Sequence, residues 1–315
     1  MIEEISSADL QSITPSTSNA INMQDERQKL LFVINPVSGG KEKHNREAEI
    51  RTYFKDTPHT IEFYLLNGKS DDVSVRHHIE SVNPDKVVAV GGDGTVKMLA
   101  EILKGTKRIL GIIPAGSANG MAKELSIPLN IKEALNIIVN GQPQYIDAIN
   151  INKKEICLHL SDMGLNAMLV KYFHGYNQRG MWGYARSVFR VLWQKQKIYA
   201  TITTDKGTIK RKAYMIVLAN ASKYGTGATI NPTGKLDDGA FEVVIVRKIH
   251  LWSIMKMLMA HKTFNVEKIE IIQTKKLILK TLRKRYFQVD GEYRGRVKEI
   301  RADIYPHCIH LMLPN

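Results

Sequence analysis

Gly91-Gly92-Asp93-Gly94-Thr95 is the stretch that most narrows what this chain can fold into. Before it stands an apolar run, Val87-Val88-Ala89-Val90, with the make-up of a buried parallel strand. After it, Val96-Lys97-Met98-Leu99-Ala100-Glu101-Ile102-Leu103 has the apolar spacing of a helix. Three glycines let the backbone turn sharply and come close to a ligand, and the unpaired N–H groups at a helix start favour an anion such as phosphate. A nucleotide suits such a place. Asp93 then stands where phosphates would gather, which is unfavourable unless a cation such as Mg²⁺ lies between carboxylate and phosphate. A tight turn with a capping Asp is the other reading of the same five residues.

The neighbouring sequence repeats the arrangement. Leu30-Leu31-Phe32-Val33-Ile34 predicts a buried strand running into Asn35-Pro36-Val37-Ser38-Gly39-Gly40-Lys41 and a polar helix from about Glu42 to Tyr53. A strand from Ile61 to Leu66 and a helix from Asp71 to Val82 follow, and Asn83-Pro84 breaks into the strand before Asp93. Arg108 to Ile113 is a further strand, ending in Pro114-Ala115-Gly116-Ser117-Ala118-Asn119-Gly120 before a helix from Met121 to Leu125. In an open parallel sheet, ligands bind beyond the carboxyl ends of the strands, so three such loops can converge on one nucleotide. Beyond about Tyr145 the texture changes to short strands with turns. Examples are Ala200 to Thr204, the turn Asp205-Lys206-Gly207, Thr208 to Lys212, Met215 to Ala219, Phe241 to Val246, Ile269 to Ile272 and Lys276 to Leu279. Helical patterns interrupt them from about Tyr184 to Gln194 and from Leu251 to Lys262.

The fold class is therefore α/β, an N-terminal Rossmann-like parallel-sheet domain plus a C-terminal β-sandwich domain. Residues 1–27, polar and without period, are expected to be a disordered tail; residues 28–145 form the nucleotide-binding domain and 146–315 the second. The last residues of the chain are allowed a return to the first domain.

Charge and cysteine content narrow the partners. Lys and Arg number 45 against 31 Asp and Glu, a net charge of +14, which favours nucleotide phosphates, nucleic acid or an anionic membrane face. No stacking-aromatic motif or recognition helix stands out, which sets nucleic acid aside. Two cysteines far apart predict neither a disulfide framework nor a zinc site, and suit a reducing cytoplasm. The first residues are acidic and polar rather than basic then apolar, and no apolar run approaches the roughly 18 residues of a spanning helix. Any membrane contact is expected to be peripheral, at the inner face.

With these motifs in view, the chain resembles the diacylglycerol kinase catalytic family, which includes bacterial lipid kinases and the sphingosine and ceramide kinases. The likeness runs from about Leu30 to the C-terminus. It rests on Asn35-Pro36 with Ser38-Gly39-Gly40, on Gly91 to Thr95, and on Pro114 with Gly116-Ser117 and Asn119. It rests further on Asn231-Pro232 followed by Leu236-Asp237-Asp238-Gly239, and on Val289-Asp290-Gly291-Glu292. The Gly91 to Thr95 loop alone is shared with NAD kinases and phosphofructokinases, which have a related fold; the first and last motifs make the separation. The resemblance implies ATP across the three loops, bound through Asn35, Pro36, Ser38, Gly39, Gly40, Gly91, Gly92, Gly94, Thr95, Gly116, Ser117 and Asn119. It implies Mg²⁺ held by Asp93, and Glu292 as the base for a lipid hydroxyl. It also implies Asp147 as a further acid near the metal waters, and a structural Mg²⁺ at Asp238 with the carbonyls of Lys235 and Ala240. A hairpin turn at Asp290-Gly291 and a plain turn at Asp238-Gly239 are alternative readings. A homodimer is a family expectation.

Two departures bear on substrate. Gly120 stands where bacterial diacylglycerol kinases usually carry an Asp, whereas sphingosine and ceramide kinases also lack it. In Ser161 to Ala167, however, many family members place an acid near the position of Asn166, and a neutral Asn offers no salt bridge to a sphingoid amine. Diacylglycerol is the expected acceptor, with a sphingoid base or ceramide as alternative. A soluble small-molecule kinase and a catalytically silent nucleotide- or lipid-binding regulator are the readings of other classes. For membrane contact, the apolar Leu251 to Lys262 stretch is a candidate surface or plain core. Lys275, Lys276, Lys280 and Arg283-Lys284-Arg285 could attract anionic headgroups or be a solvated strand face.

Overall fold

The computed structural model describes residues 27–38, 46–68, 71–175, 196–222, 231, 234–248 and 269–315. The N-terminal tail, Gly39, Gly40, Pro232, and the helices expected at Tyr184 to Gln194 and Leu251 to Lys262 lie outside them.

The first half alternates strand and helix: β1 (Lys29–Ile34), α1 (Arg46–Phe54), β2 (Thr60–Leu65), α2 (Asp71–Val82), β3 (Lys86–Gly91), α3 (Asp93–Leu103) and β4 (Ile109–Pro114). These strands are parallel in the order β4-β3-β1-β2. Val87 to Val90 are wholly buried, as a strand covered on both faces requires, and Leu30 to Val33 beside them are almost so. Phe32 packs its ring against Phe54 of α1 and Phe63 of β2. Each such buried side chain contributes roughly 1.5–3 kcal/mol. Then come α4 (Gly120–Glu124) and α5 (Ile131–Asn140). Nothing in the loop motifs anticipates α5, yet its signal is local. Asn130 caps it by accepting from the Lys132 and Glu133 amides, and Ala134, Leu135 and Ile138 form its buried stripe.

The second half is antiparallel: β5 (Gln142–Ile151), β6 (Glu155–Cys157), β7 (Leu160–Gly164), then α6 (Leu165–Gly175), β8 (Ile198–Thr204), β9 (Gly207–Ala213), β10 (Met215–Ala219), β11 (Phe241–Val246), β12 (Ile269–Thr274), β13 (Lys276–Val289) and β14 (Glu292–Leu313). The path β12-β11-β10-β7-β13-β14 continues into β4-β3-β1-β2. β14 makes the join: its far end pairs in parallel with β4, His310 opposite Ile109 and Leu311 opposite Leu110, while β5 flanks it antiparallel. Both halves therefore share one hydrogen-bonded sheet, with separate apolar cores on either side of the join. Among the described residues, no helix is long and apolar enough to cross a membrane.

Candidate active site

The carboxyl ends of β1, β3 and β4 lie side by side, and their loops are bonded to one another. Asn35 organises the first. Its carbonyl accepts from Ser38 N and Oγ, its Oδ1 from Val37 N, and its Nδ2 donates to Thr95 Oγ1 at 3.3 Å, on the second loop. Gly92 and Gly116 bring the second and third loops into backbone contact. A Cβ on Gly116 would lie 2.5 Å from Gly92 Cα, and one on Gly91 only 2.3 Å from Thr95 Oγ1. Asn119, in left-handed conformation with φ 51°, closes the third loop by bonding both N and O of Gly116. Pro36, Gly94 and Ser117 stand exposed on these loops.

Asp93 begins α3 and reaches across to α4. Its two carboxylate oxygens accept from Gly120 N and Met121 N, each at 3.0 Å. The acid therefore caps the third loop's helix. Each oxygen has accepted one N–H and keeps acceptor capacity for a metal or its water, so Asp93 fits the cation expected of it.

The other expected acids have different partners. Asp147 is wholly buried, with its oxygens taken by Gly239 N at 2.7 Å and His307 N at 2.8 Å. It braces the Leu236 to Gly239 turn and the bulge in β14. Asp238, exposed, accepts from Ala240 N and from Gln273 Nε2, and that same Nε2 also reaches Glu242. Burial, and then the charge of Asp238, raise the proton affinity of Glu242. Two carboxylates on one amide nitrogen would welcome a cation, and Glu242 is a member of this cluster that the motif did not reveal. Among the described residues, no three His, Cys, Asp or Glu side chains form a metal-holding group.

The Val289 to Glu292 segment is a hairpin whose two central residues, Asp290 (φ 48°) and Gly291 (φ 84°), adopt the left-handed conformations of a tight two-residue turn. The turn is tied to the first half. Asp290 accepts from Leu158 N and His159 N, and its carboxylate lies 3.4 Å from Lys97 Nζ. Lys97 is one helical turn beyond Asp93 on α3. It also bonds Glu155 at 2.9 Å, Arg294 clamps both oxygens of Glu155, and Arg294 meets Glu292 at 2.6 Å. A charge chain thus runs from the helix that Asp93 begins to the half-exposed Glu292. Burial raises the Glu155 carboxyl, but Arg294 and Lys97 outweigh it and hold the group below its ordinary value. Hydrogen bonding to Glu155, against burial, raises Arg294 far beyond any physiological titration.

Behind the turn lies a second chain. Asp162, wholly buried, accepts from Ala167 N (2.8 Å), Asn166 Nδ2 (2.6 Å) and Gln288 Nε2 (2.5 Å), and Gln288 Oε1 in turn accepts from Gly291 N at 2.7 Å. The Asn166 amide nitrogen is therefore spent on an acid. Lys97, Glu155, Arg294, Asp162 and Gln288 carry no motif, and only the four-residue spacing of Lys97 from Asp93 hinted at a shared face.

A family model described as the diacylglycerol kinase catalytic domain matches residues 29–151, and one described as the YegS C-terminal NAD kinase beta sandwich-like domain matches residues 162–313. A protein named diacylglycerol kinase from Staphylococcus aureus (strain bovine RF122 / ET3-1) is 24% identical over 300 residues, covering 92% of this chain and 93% of that one. A protein of Chromohalobacter salexigens named "Probable lipid kinase YegS-like" is 28% identical over 218 residues, 67% of this chain and 68% of that one. The crystal structure of a diacylglycerol kinase from Bacillus anthracis str. Sterne shares the fold, with a TM-score of 0.69 at 19% identity over 91% of this chain and 97% of that one.

Proposed function

We propose that the chain, a member of the diacylglycerol kinase catalytic-domain family and a lipid kinase of that kind, moves the γ-phosphate of ATP to diacylglycerol, giving phosphatidic acid. The observation that carries this reading is the charge chain Lys97-Glu155-Arg294-Glu292, which joins the turn holding Glu292 to the helix that Asp93 begins.

The three glycine loops receive the triphosphate, where close backbone approach replaces side-chain contact. Mg²⁺, when bound at Asp93, supplies neutralisation of phosphate charge. Glu292 takes the proton of the lipid hydroxyl as that oxygen bonds the γ-phosphorus and the bond to the β-phosphate oxygen breaks, with ADP leaving. Arg294 orients Glu292, and Asp238 with the carbonyls of Lys235 and Ala240 would hold the second, structural cation. Asp162 supports a neutral acceptor, because it is wholly buried and already engaged by three donors, out of reach of a sphingoid amine. The membrane-facing element is the β13 bulge, where Leu282, 77% exposed, stands among the exposed Lys280, Arg283 and Lys284.

The test is transfer of labelled γ-phosphate from Mg-ATP to diacylglycerol, sphingosine and ceramide in anionic mixed micelles. Label is expected in phosphatidic acid, reduced about 10²–10⁴-fold in Glu292→Gln with ATP binding kept. Label in a sphingoid product would replace the substrate assignment, and ATP binding without any labelled lipid would refute the proposed reaction.

A further inference from the structure

Five buried polar side-chain atoms among the described residues have no hydrogen-bond partner, and three of them come from one junction: Glu124 Oε2, His159 Nε2 and Asn220 Oδ1. Here the end of α4, the turn before β7 and the residues after β10 meet. Asn220 N and Ala221 N both donate to His159 O, at 3.1 and 3.2 Å. Ser222 N and Oγ both donate to Glu124 Oε1, at 2.8 and 2.7 Å. Asn220, wholly buried, gives its Nδ2 to the carbonyls of Asp147 and Leu158, each at 2.9 Å, which assigns its Oδ1 to the side without a partner. Each orphaned atom thus belongs to a residue that is otherwise firmly held. Folded proteins leave few buried polar atoms unpaired, so three at one junction imply a bound partner.

The donor set says which kind. A carboxylate oxygen and an amide oxygen can only accept, which excludes an anion. The imidazole nitrogen adds a lone pair in the tautomer with its proton on Nδ1. Burial, outweighing the negative charge of Asp290, Glu124 and Asp93, holds His159 below its ordinary pKa. The three atoms are closed to bulk solvent, which rules out a lipid and restricts any occupant to a single small species. Glu124 also lies one turn beyond Gly120 on α4, so a carboxylate is available close to where the third loop lacks one.

We propose that Glu124, His159 and Asn220 form a divalent-cation site, distinct from Asp93 and from the Asp238 turn. Mixed oxygen and imidazole donors suit a first-row transition ion such as Mn²⁺ better than Mg²⁺, which prefers oxygen alone. Holding Glu124 Oε1 and Asn220 Nδ2 from behind orients the ligand atoms as outer-shell bonds do in metal sites. The site does not rest on the proposed phosphoryl transfer.

The test uses the metal-stripped full chain and Mn²⁺ alone, without nucleotide or lipid. Free Mn²⁺ is followed by its EPR signal and bound Mn²⁺ by the electron spin-echo modulation of a coordinated imidazole nitrogen. Bound Mn²⁺ with nitrogen coupling is expected in the wild type, in Asp93→Asn and in Asp238→Asn. The coupling should be lost in His159→Gln, and affinity at that site should fall at least about tenfold in Glu124→Gln. Wild-type protein without nitrogen coupling, or coupling that survives in His159→Gln, would overturn the site and leave a bound water as the occupant. If His159→Gln does not fold, the Glu124→Gln titration decides: tenfold weaker binding supports the site and unchanged binding overturns it. No turnover is read, so failure here and failure of label transfer are separate results.

Discussion

Replacing Asp162 with Asn removes a carboxyl group that folding places wholly out of water. Burial raises its pKa from 3.8 to about 6, although the hydrogen bonds from Asn166, Gln288 and Ala167 pull it back. Below pH about 4 the folded and unfolded chains both hold the proton, and the group costs no ionisation energy. Between about 4 and 6 the unfolded chain ionises while the folded chain keeps its proton, so stability falls as pH rises. Above about 6 the loss is complete. Two units at about 1.36 kcal/mol each make it about 3 kcal/mol. The Asn variant has no such dependence. It does carry a constant penalty of about 1–3 kcal/mol, because an Asn cannot accept on both sides and Gln288 must turn its amide away from Gly291 N. Urea unfolding followed by circular dichroism at pH 4, 5, 6 and 7 separates the two effects. Relative to Asp162→Asn, the wild type should lose about 3 kcal/mol between pH 4 and 7, most of it below pH 6. A difference that stays constant within about 1 kcal/mol over that range would refute the reasoning.

Lys97→Met leaves Asp290 and Glu155 without their shared cation at a site where Lys97 is only 9% exposed, so a loss of about 3–5 kcal/mol is expected in a denaturant midpoint series. Because Lys97 also fixes the Glu292 turn, kcat should fall more than the affinity for ATP changes. Gly116→Ala puts a methyl group against the Gly92 backbone, where nothing flexible can yield, and should weaken ATP binding more than tenfold by calorimetry, whereas Gly94→Ala, with nothing within 4 Å, should not. Leu282→Asp with Arg283→Glu should abolish sedimentation with anionic vesicles while leaving the thermal midpoint within about 3 °C, since both side chains are exposed and each basic residue near such a surface is worth about 1 kcal/mol.

The elements around the loops were legible because their causes are local. Val87 to Val90 are apolar on both faces, glycines follow directly, and a 3.6-residue period resumes at Val96, so strand, loop and helix could be read without any partner. The hairpin at Asp290-Gly291 was legible for the same reason. Within the candidate site, the loop residues and Glu292 carried recognisable spacing. Glu155, Arg294, Asp162, Gln288, Glu124 and His159 did not, because a charged or amide side chain suits any solvated surface until the fold brings a partner to it.

The α/β alternation and the three glycine loops could be read from residue order alone, since backbone freedom and apolar period act over a few residues, and the family from the motifs those loops carry. Tertiary structure decided what each acid does. Asp93 spans 27 residues to cap α4, Asp147 braces a turn and a bulge far along the chain, and Glu292 is tied to α3 through Arg294, Glu155 and Lys97. The last two roles depend on β14 returning to pair with β4, a contact across about 200 residues. Electrostatic partners are set by distance in space, and only the closed sheet brings those distances within reach of a hydrogen bond.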